Sequence, residues 1–198
     1  MAGRTDTGVH ARGQVVSFVV ESDPELGQLL RSLNGVLPDD VAVVDIEPAA
    51  DGFDARRDAR SRTYCYRVLA RAVSSPLLRD RALWWPHPLD VAMLGECAAL
   101  VAGTHDFKAF TPTQTEHVRF ERHVFASEWR PGGELVEFWI EADTFMRNMV
   151  RVLVGTMLEV AGGRRRLDDF ARLLNGADRS QAGPPAEPHG LHLERVRY

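Results

Sequence analysis

The N-terminal quarter of the chain has a hydrophobic pattern typical of a strand, a helix and a second strand. Residues 13–20 and 41–47 are rich in β-branched side chains, which favours extended strands. Between them, residues 22–25 (SDPE) are typical of a helix start, and Gly35 and Pro38 are typical of a helix end. The pattern therefore predicts two strands with one helix between them.

The rest of the chain alternates between strand and helix patterns, without repeats or low-complexity tracts. The predicted elements are a strand over 62–71, an alanine-rich helix capped by Asp90 and running to about Val101, a hairpin of 118–129 with 134–142, an amphipathic helix over 146–163 with a glycine stop, a short helix over 168–175 and a last strand over 191–198. This mixture predicts an α+β fold with antiparallel pairing.

Composition narrows the class of protein. Of the 198 residues 44% are hydrophobic, yet no apolar run reaches the roughly 18 residues of a membrane span, and no N-terminal stretch resembles a signal peptide. Cys65 and Cys97 make neither a disulfide framework nor a metal-type pair, and His189 with His192 is an incomplete ligand set. We therefore expect a cytoplasmic protein without a membrane partner, a metal site or a cofactor.

The distribution of charge matters more than its sum. The net charge is −4, and of the 24 basic residues only Lys108 is a lysine. Residues 56–71 contain six arginines against one acidic residue, and residues 144–166 contain five against one. If the fold brings these two basic segments together, they predict a phosphate-binding surface. The alternative is that arginine usage reflects genome composition and that the charges are merely solvated.

The chain begins with an Asp-Thr-Gly turn around Asp6, within GRTDTGVHARGQVVSF over residues 3–18. One interpretation is a dimeric aspartic peptidase of the retroviral type. In such enzymes the turn follows an apolar strand, and Arg4 here would oppose the proton that the two carboxylates share. A turn or cap without chemistry is the plain alternative.

The motif GRTDTGVHA, residues 3–11, closely resembles the active-site signature of the TruA family of tRNA pseudouridine synthases, in which the Asp is catalytic. The resemblance extends over the whole chain. Five further motifs follow in the family's order: FDAR at 53–56, RTYCY at 62–66, HDF at 105–107 with Phe110, FMRNMVR at 145–151 running on to Gly155, and GLHL at 190–193.

This resemblance implies two ferredoxin-like lobes that share a largely antiparallel sheet around a central basic cleft. Residues 1–55 would form an incomplete N-terminal lobe with the catalytic loop, and residues 56–198 the C-terminal lobe. The implied activity is the isomerisation of uridine to pseudouridine at positions 38 to 40, in the anticodon stem-loop of tRNA. Family members act as homodimers, and the two basic segments would line the cleft.

The resemblance also assigns roles in catalysis. Asp6 would be the catalytic carboxylate, with three routes open to it: addition to the uracil ring, attack on the sugar, or proton removal to a glycal. Arg151 would pair with Asp6 and orient it. Tyr64 would stack on the extruded uracil, and its hydroxyl would handle the proton at C5, with Tyr66 as its neighbour on the same strand face.

The remaining assignments concern the RNA. Arg4 would enter the helix as the target nucleotide flips out. Arg147, one helical turn before Arg151, would contact phosphate, and Leu191 would make apolar contact with the uracil. Thr5, Gly8 and His10 would shape the loop, the glycine by adopting a positive φ.

One feature departs from the family pattern. Its members carry a strand, a helix and a second strand before the signature, with a YDG…GWQ segment that this sequence does not contain. A second hypothesis is therefore a catalytically weak family member that binds RNA or a partner, and the peptidase is a distant third. For this chain we expect weak activity and a tendency to associate.

Overall fold

The computed structural model describes residues 1–115 and 118–198, and it confirms the α+β class. Seven strands are found in this part of the chain: β1 (His10–Ala11), β2 (Ser61–Ala70), β3 (Leu83–Trp85), β4 (Gly103–Asp106), β5 (Glu121–Gly132), β6 (Leu135–Ala142) and β7 (Leu191–Arg197). They form one sheet in the order β1-β7-β2-β6-β5-β4, with β3 beside β2.

Strand β2 is the centre of this sheet. It pairs antiparallel with β6 on one edge and with β7 on the other, and β3 joins it in parallel beyond the end of β7. Alternate β2 residues, including Tyr64 and Tyr66, face the main hydrophobic core. The opposite face carries Arg67, whose guanidinium pairs with Glu137 of β6 and Glu194 of β7. The sheet is thus apolar on one side and charged on the other.

Four α-helices lie in the described residues: α1 (Leu26–Val36), α2 (Val91–Val101), α3 (Met149–Ala161) and α4 (Leu167–Leu173). Helices α2, α3 and α4 pack together on the apolar face, where Trp129 Nε1 of β5 lies 3.3 Å from Met157 Sδ of α3. Asp90 caps α2 as predicted, because its carboxylate accepts the amide of Met93. None of these helices has the length and apolar character needed to cross a bilayer.

The predicted hairpin is confirmed, with β5 and β6 joined through a turn in which Gly133 has a φ of 68°. The predicted helices from Asp90 and over 168–175 and the strands near 62–71 and 191–198 are also found within a few residues of their expected bounds. The helix expected over 146–163 is shorter than predicted. It begins at Met149, because Asn148 before it adopts a left-handed conformation.

The two N-terminal strands predicted over 13–20 and 41–47 are wrong. A strand needs a neighbour for its hydrogen bonds, and among the described residues only β1 pairs with the free edge of β7. After Ala11 the chain donates two more amides, those of Arg12 and Gly13, to the carbonyl of Leu193 and then leaves the sheet. The segment 41–47 is instead attached to α1, where the Asn34 side chain bonds both backbone groups of Val43.

Helix α1 forms where predicted, but the structure buries none of its residues. Its N-terminus is capped by Glu25, whose carboxylate accepts the amides of Gly27 and Gln28. The flanking segments expose apolar side chains, with Val19 96% exposed and Val44 85% exposed. Residues 14–47 therefore add little to the core, and the division into lobes 1–55 and 56–198 stays a prediction.

Gly155 and Gly95 provide a matched test of how α3 packs. A Cβ at Gly155 would overlap the backbone carbonyl oxygen of Pro184, whereas a Cβ at Gly95 of α2 meets nothing within 4 Å. We expect Gly155→Ala to destabilise the protein by about 1–3 kcal/mol through overpacking. Gly95→Ala should stabilise it by up to about 1 kcal/mol, since alanine favours helix. Urea unfolding measures both, and similar free energies for the two variants would contradict this packing.

Amide hydrogen exchange should divide the chain into a fast and a slow part. We expect residues 14–47 to exchange at least about 100-fold faster than β5, β6 and α3, because the N-terminal segment lacks sheet partners and buried residues. Mass spectrometry of peptic fragments provides the measurement, with the exposed tip of the hairpin as an internal fast reference. Equal protection in both parts would show that residues 14–47 are held by contacts absent from this structure.

Candidate active site

The candidate site is built on the loop that precedes β1. Asp6 lies in a turn closed by the amide of Val9, which donates to the Asp6 carbonyl at 3.0 Å. The expected positive φ at Gly8 is found, at 84°, and a Cβ there would lie 3.1 Å from the Pro188 ring. The turn is therefore packed closely against the segment that leads into β7, and only glycine combines this conformation with this contact.

The start of the loop is fixed by Arg62. This buried guanidinium donates to the carbonyl oxygens of Ala2 and Arg56 from Nη2, and to those of Ala59 and Asp143 from Nη1. All four acceptors are main-chain groups, so the arginine serves as a hub between the loop, the connector before β2 and the end of β6. Arg62 belongs to the RTYCY motif, and this is the structural reason for a basic residue there.

Arg151 of α3 lies directly beside Asp6. Its Nη1 is 3.1 Å from Asp6 Oδ2 and 3.1 Å from Asn148 Oδ1, and its Nε donates to the Ala186 carbonyl at 2.7 Å. The Ala186 amide in turn donates to the Arg151 carbonyl at 2.9 Å. The Arg151 side chain is 15% exposed and that of Asp6 is 37% exposed. The guanidinium is thus held at several points and presents one amino group to a carboxylate that is open on one side.

Asn148 has a φ of 61°, a left-handed value that asparagine adopts more readily than most residues. This turn places its side chain on Arg151. The helix begins only after Asn148, so the expectation that Arg147 lies on the same helix, one turn before Arg151, is wrong: Arg147 lies before α3. Arg147 is exposed, and its carbonyl accepts the Thr111 hydroxyl.

Tyr64 is buried beside the loop rather than open to it. It is 8% exposed, its ring packs edge-on against Phe145 at 5.0 Å, and a Cβ on Gly3 would lie 3.8 Å from its hydroxyl. Burial raises the pKa of Tyr64, the nearby Arg62 charge lowers it and the Asp6 charge raises it further. At neutral pH the phenol therefore keeps its proton and is a donor.

Leu191 is the first residue of β7. It is buried and pairs with Tyr66 of β2, the strand that also carries Tyr64. The Tyr66 hydroxyl donates to the Glu187 carbonyl at 2.8 Å, and burial raises the pKa of this phenol. A Cβ on Gly190 would meet the Tyr66 ring at 2.7 Å, so the glycine of the GLHL motif allows β7 to approach β2 closely. Tyr66 is structural in this arrangement.

Most arginines of the two basic segments do not form an open basic surface. Besides Arg62 and Arg151, several pair with acidic side chains: Arg57 with Asp58, Arg67 with Glu137 and Glu194, Arg71 with Glu134, Arg165 with Glu159 and Arg166 with Asp168. Arg164 lies over the Trp85 ring. Among the described residues, five exposed arginines near the loop or within these segments make no ion pair, namely Arg4, Arg56, Arg60, Arg147 and Arg164.

Neither cysteine is placed to act as a nucleophile. Cys65 and Cys97 are free and buried, and burial raises the pKa of each thiol to about 12, so neither is a thiolate at neutral pH. Within the described ranges, no three His, Cys, Asp or Glu side chains gather as metal ligands would.

Sequence reasoning missed the groups that hold Arg151. Asn148 lies inside the FMRNMVR motif, and its position three residues before the arginine was the available signal. Ala186 acts only through its main chain and Pro188 only through its shape, so neither gives a signal in sequence. Arg62 was visible in its motif, but the pattern does not distinguish a structural arginine from one that binds RNA.

Comparison with known proteins agrees with the motifs. A family model described as tRNA pseudouridine synthase matches residues 97–198, just over half of the chain. The tRNA pseudouridine synthase A of Myxococcus xanthus is 43% identical over 199 residues, which cover all of this chain and 75% of that protein.

Proteins of the same name show similar values in two other organisms. That of Paraburkholderia phymatum is 40% identical over all of this chain and 74% of its own length, and that of Geobacillus sp. strain WCH70 is 36% identical over all of this chain and 79% of its own length. The chain belongs to the family of tRNA pseudouridine synthases, isomerases that convert uridine to pseudouridine.

Proposed function

We propose that this chain forms pseudouridine in the anticodon stem-loop of tRNA, with Asp6 as the carboxylate that acts on the target nucleotide. The observation that carries this proposal is the ion pair between Arg151 Nη1 and Asp6 Oδ2, with Arg151 itself fixed by Ala186 and Asn148. The stem-loop, at positions 38 to 40, and a homodimeric assembly are supported by the resemblance of the motif over residues 3–11 to the TruA signature.

The reaction is an isomerisation that balances without a co-reactant. The bond between C1′ of the ribose and N1 of uracil breaks, a bond from C1′ to C5 forms, C5 loses its proton and N1 gains one. A carboxylate beside the sugar and the base serves each of the three routes considered above. Arg151 orients this carboxylate and compensates its charge, and the exposed side of Asp6 is left for the nucleotide.

Tyr64 is better suited to donating a hydrogen bond than to removing a proton. Its raised pKa keeps it protonated, and the 8% exposure of the residue leaves little of the ring for stacking on a base. We therefore assign to Tyr64 a contact through its hydroxyl, at the wall of the site beneath Gly3, with the C5 proton taken by another group.

Binding of the RNA is assigned to the arginines that the fold leaves unpaired. Arg4 lies two residues before Asp6, and Arg147 lies four residues before Arg151, so each flanks one partner of the ion pair in sequence and is exposed. Phosphate contacts from such side chains position the RNA without reading its sequence. Flipping the target nucleotide into the site costs a few kcal/mol, which these contacts must offset.

The two alternative hypotheses have no support in the comparisons. A dimeric aspartic peptidase requires two carboxylates that share a proton, and the partner of Asp6 here is a guanidinium. A catalytically weak RNA-binding member differs from the proposal only in turnover, which the next experiment measures.

Asp6→Asn and Asp6→Ala should abolish turnover and leave tRNA affinity within about threefold of the parent. Loss of a catalytic nucleophile or base typically costs several orders of magnitude. Tritium release from tRNA labelled at C5 of uridine measures the rate, and filter binding measures the affinity. Asp23→Asn, an exposed site outside the loop, is the matched control. Residual turnover within about tenfold of the parent would remove Asp6 from its central role.

The salt dependence of tRNA binding should distinguish unpaired from paired arginines. Removing one phosphate contact lowers the slope of log K against log salt by about one. We expect such a decrease for Arg4→Gln and Arg147→Gln, and almost none for Arg165→Gln, whose side chain is held in a partly buried pair with Glu159. Equal effects of all three substitutions would favour a diffuse basic surface over the assigned contacts.

A further inference from the structure

Two histidines from distant parts of the sequence form a stacked pair at β1, the strand that follows the Asp6 loop. The rings of His10 and His192 have centroids 4.8 Å apart and planes 19° apart. His10 belongs to β1 and His192 to β7, and the two are direct partners in the parallel pairing of these strands. His192 is 2% exposed, whereas His10 is half-buried.

Each ring also binds the chain just before β3. His10 Nε2 lies 2.6 Å from the Asp80 carbonyl oxygen, and His192 Nε2 lies 3.0 Å from the Arg81 carbonyl oxygen. A carbonyl oxygen only accepts, so both Nε2 atoms must carry hydrogen and donate. Burial lowers the pKa of His192 to about 4. The hydrogen bond to the Arg81 carbonyl raises this pKa, and the nearby charges of Arg67 and Arg81 lower it. His192 is therefore neutral at physiological pH.

The pair adds a side-chain link at the end of the loop, where the strand itself is short. Strand β1 has two residues, and the main-chain bonds that continue it are those from Arg12 and Gly13 to Leu193. Asp6 lies four residues before His10, and its turn is closed by the Val9 amide. Any shift of β1 along β7 would therefore move the Asp6 carboxylate relative to Arg151, which α3 holds independently.

We propose that His10 and His192 are a positioning pair that fixes the Asp6 loop at hydrogen-bonding distance from Arg151. The inference rests on the proposed catalytic role of Asp6. The two rings join three segments that are far apart in sequence: the loop through β1, strand β7 with Leu191 at its start, and the turn at residues 80–81.

Substitutions at His10 separate stacking from hydrogen bonding. His10→Phe keeps an aromatic ring over His192 but cannot donate to Asp80, and His10→Gln keeps a donor of similar reach without the aromatic ring. We expect kcat to fall about 10- to 100-fold in His10→Phe, with KM for tRNA within about threefold, since small misplacements of a reacting group have effects of this size. His10→Gln should recover part of the loss. The control is His87→Ala, which changes an exposed histidine two residues after the end of β3.

A second measurement does not depend on activity. In the free protein, we expect His10→Phe to accelerate exchange of the Val9 and Arg12 amides at least about tenfold while the amides of α3 keep their parent rates. Parent-like exchange at Val9 and Arg12 would overturn the positioning role, whatever happens to kcat. Acceleration spread over α3 as well would indicate a general loss of stability and would also overturn it. If the parent itself forms no pseudouridine, the proposed function fails, and the exchange result alone then decides whether the pair anchors the loop.

Discussion

The arrangement of the site depends on one guanidinium. Arg151 contacts Asp6 and Asn148 through Nη1 and Ala186 through Nε, and its carbonyl accepts the Ala186 amide. These contacts join the loop, the start of α3 and the segment before β7. Because the pair is partly buried, removing either charge would leave the other without its partner, which makes the position of the loop sensitive to this one interaction.

The sheet determines whether that interaction can form. Strand β7 pairs with β2 on one edge and with the two residues of β1 on the other, so it connects the core to the loop. Close approach is required at both contacts. A Cβ on Gly13 would overlap the Glu194 carbonyl, and one on Gly190 would meet the Tyr66 ring. The core elements β2 and α3 thereby fix the position of the short segment that contains the Asp6 loop and β1.

Local patterns predicted the parts of the fold that local physics controls. The hairpin, the Asp90 cap and the helix stop at Gly162 depend on turn and cap chemistry within a few residues, and all three are found. The strands at 13–20 and 41–47 failed because strand propensity does not supply a neighbouring edge.

For the site, the motif implied that Arg151 pairs with Asp6, and the structure contains this ion pair. The motif could not predict Asn148 in a left-handed conformation, nor the main-chain groups of Ala186, because these depend on how distant segments meet. The same limit applies to the stacking of His10 on His192, which are 182 residues apart in the sequence.

The arginines show why charge patterns in a sequence overstate a binding surface. Both basic segments hold a real excess of positive charge, but the fold brings their side chains to acids elsewhere in the chain, such as Glu134, Glu137 and Glu194. The Arg62 guanidinium donates instead to four main-chain carbonyl oxygens. An arginine in a partly buried pair, such as Arg67 with Glu137 and Glu194, gains little from a phosphate, since it must first give up its partners. Under the proposed function, attraction for RNA therefore depends on the few guanidiniums without such partners. Arg4 and Arg147, which flank the two members of the ion pair in sequence, are among them.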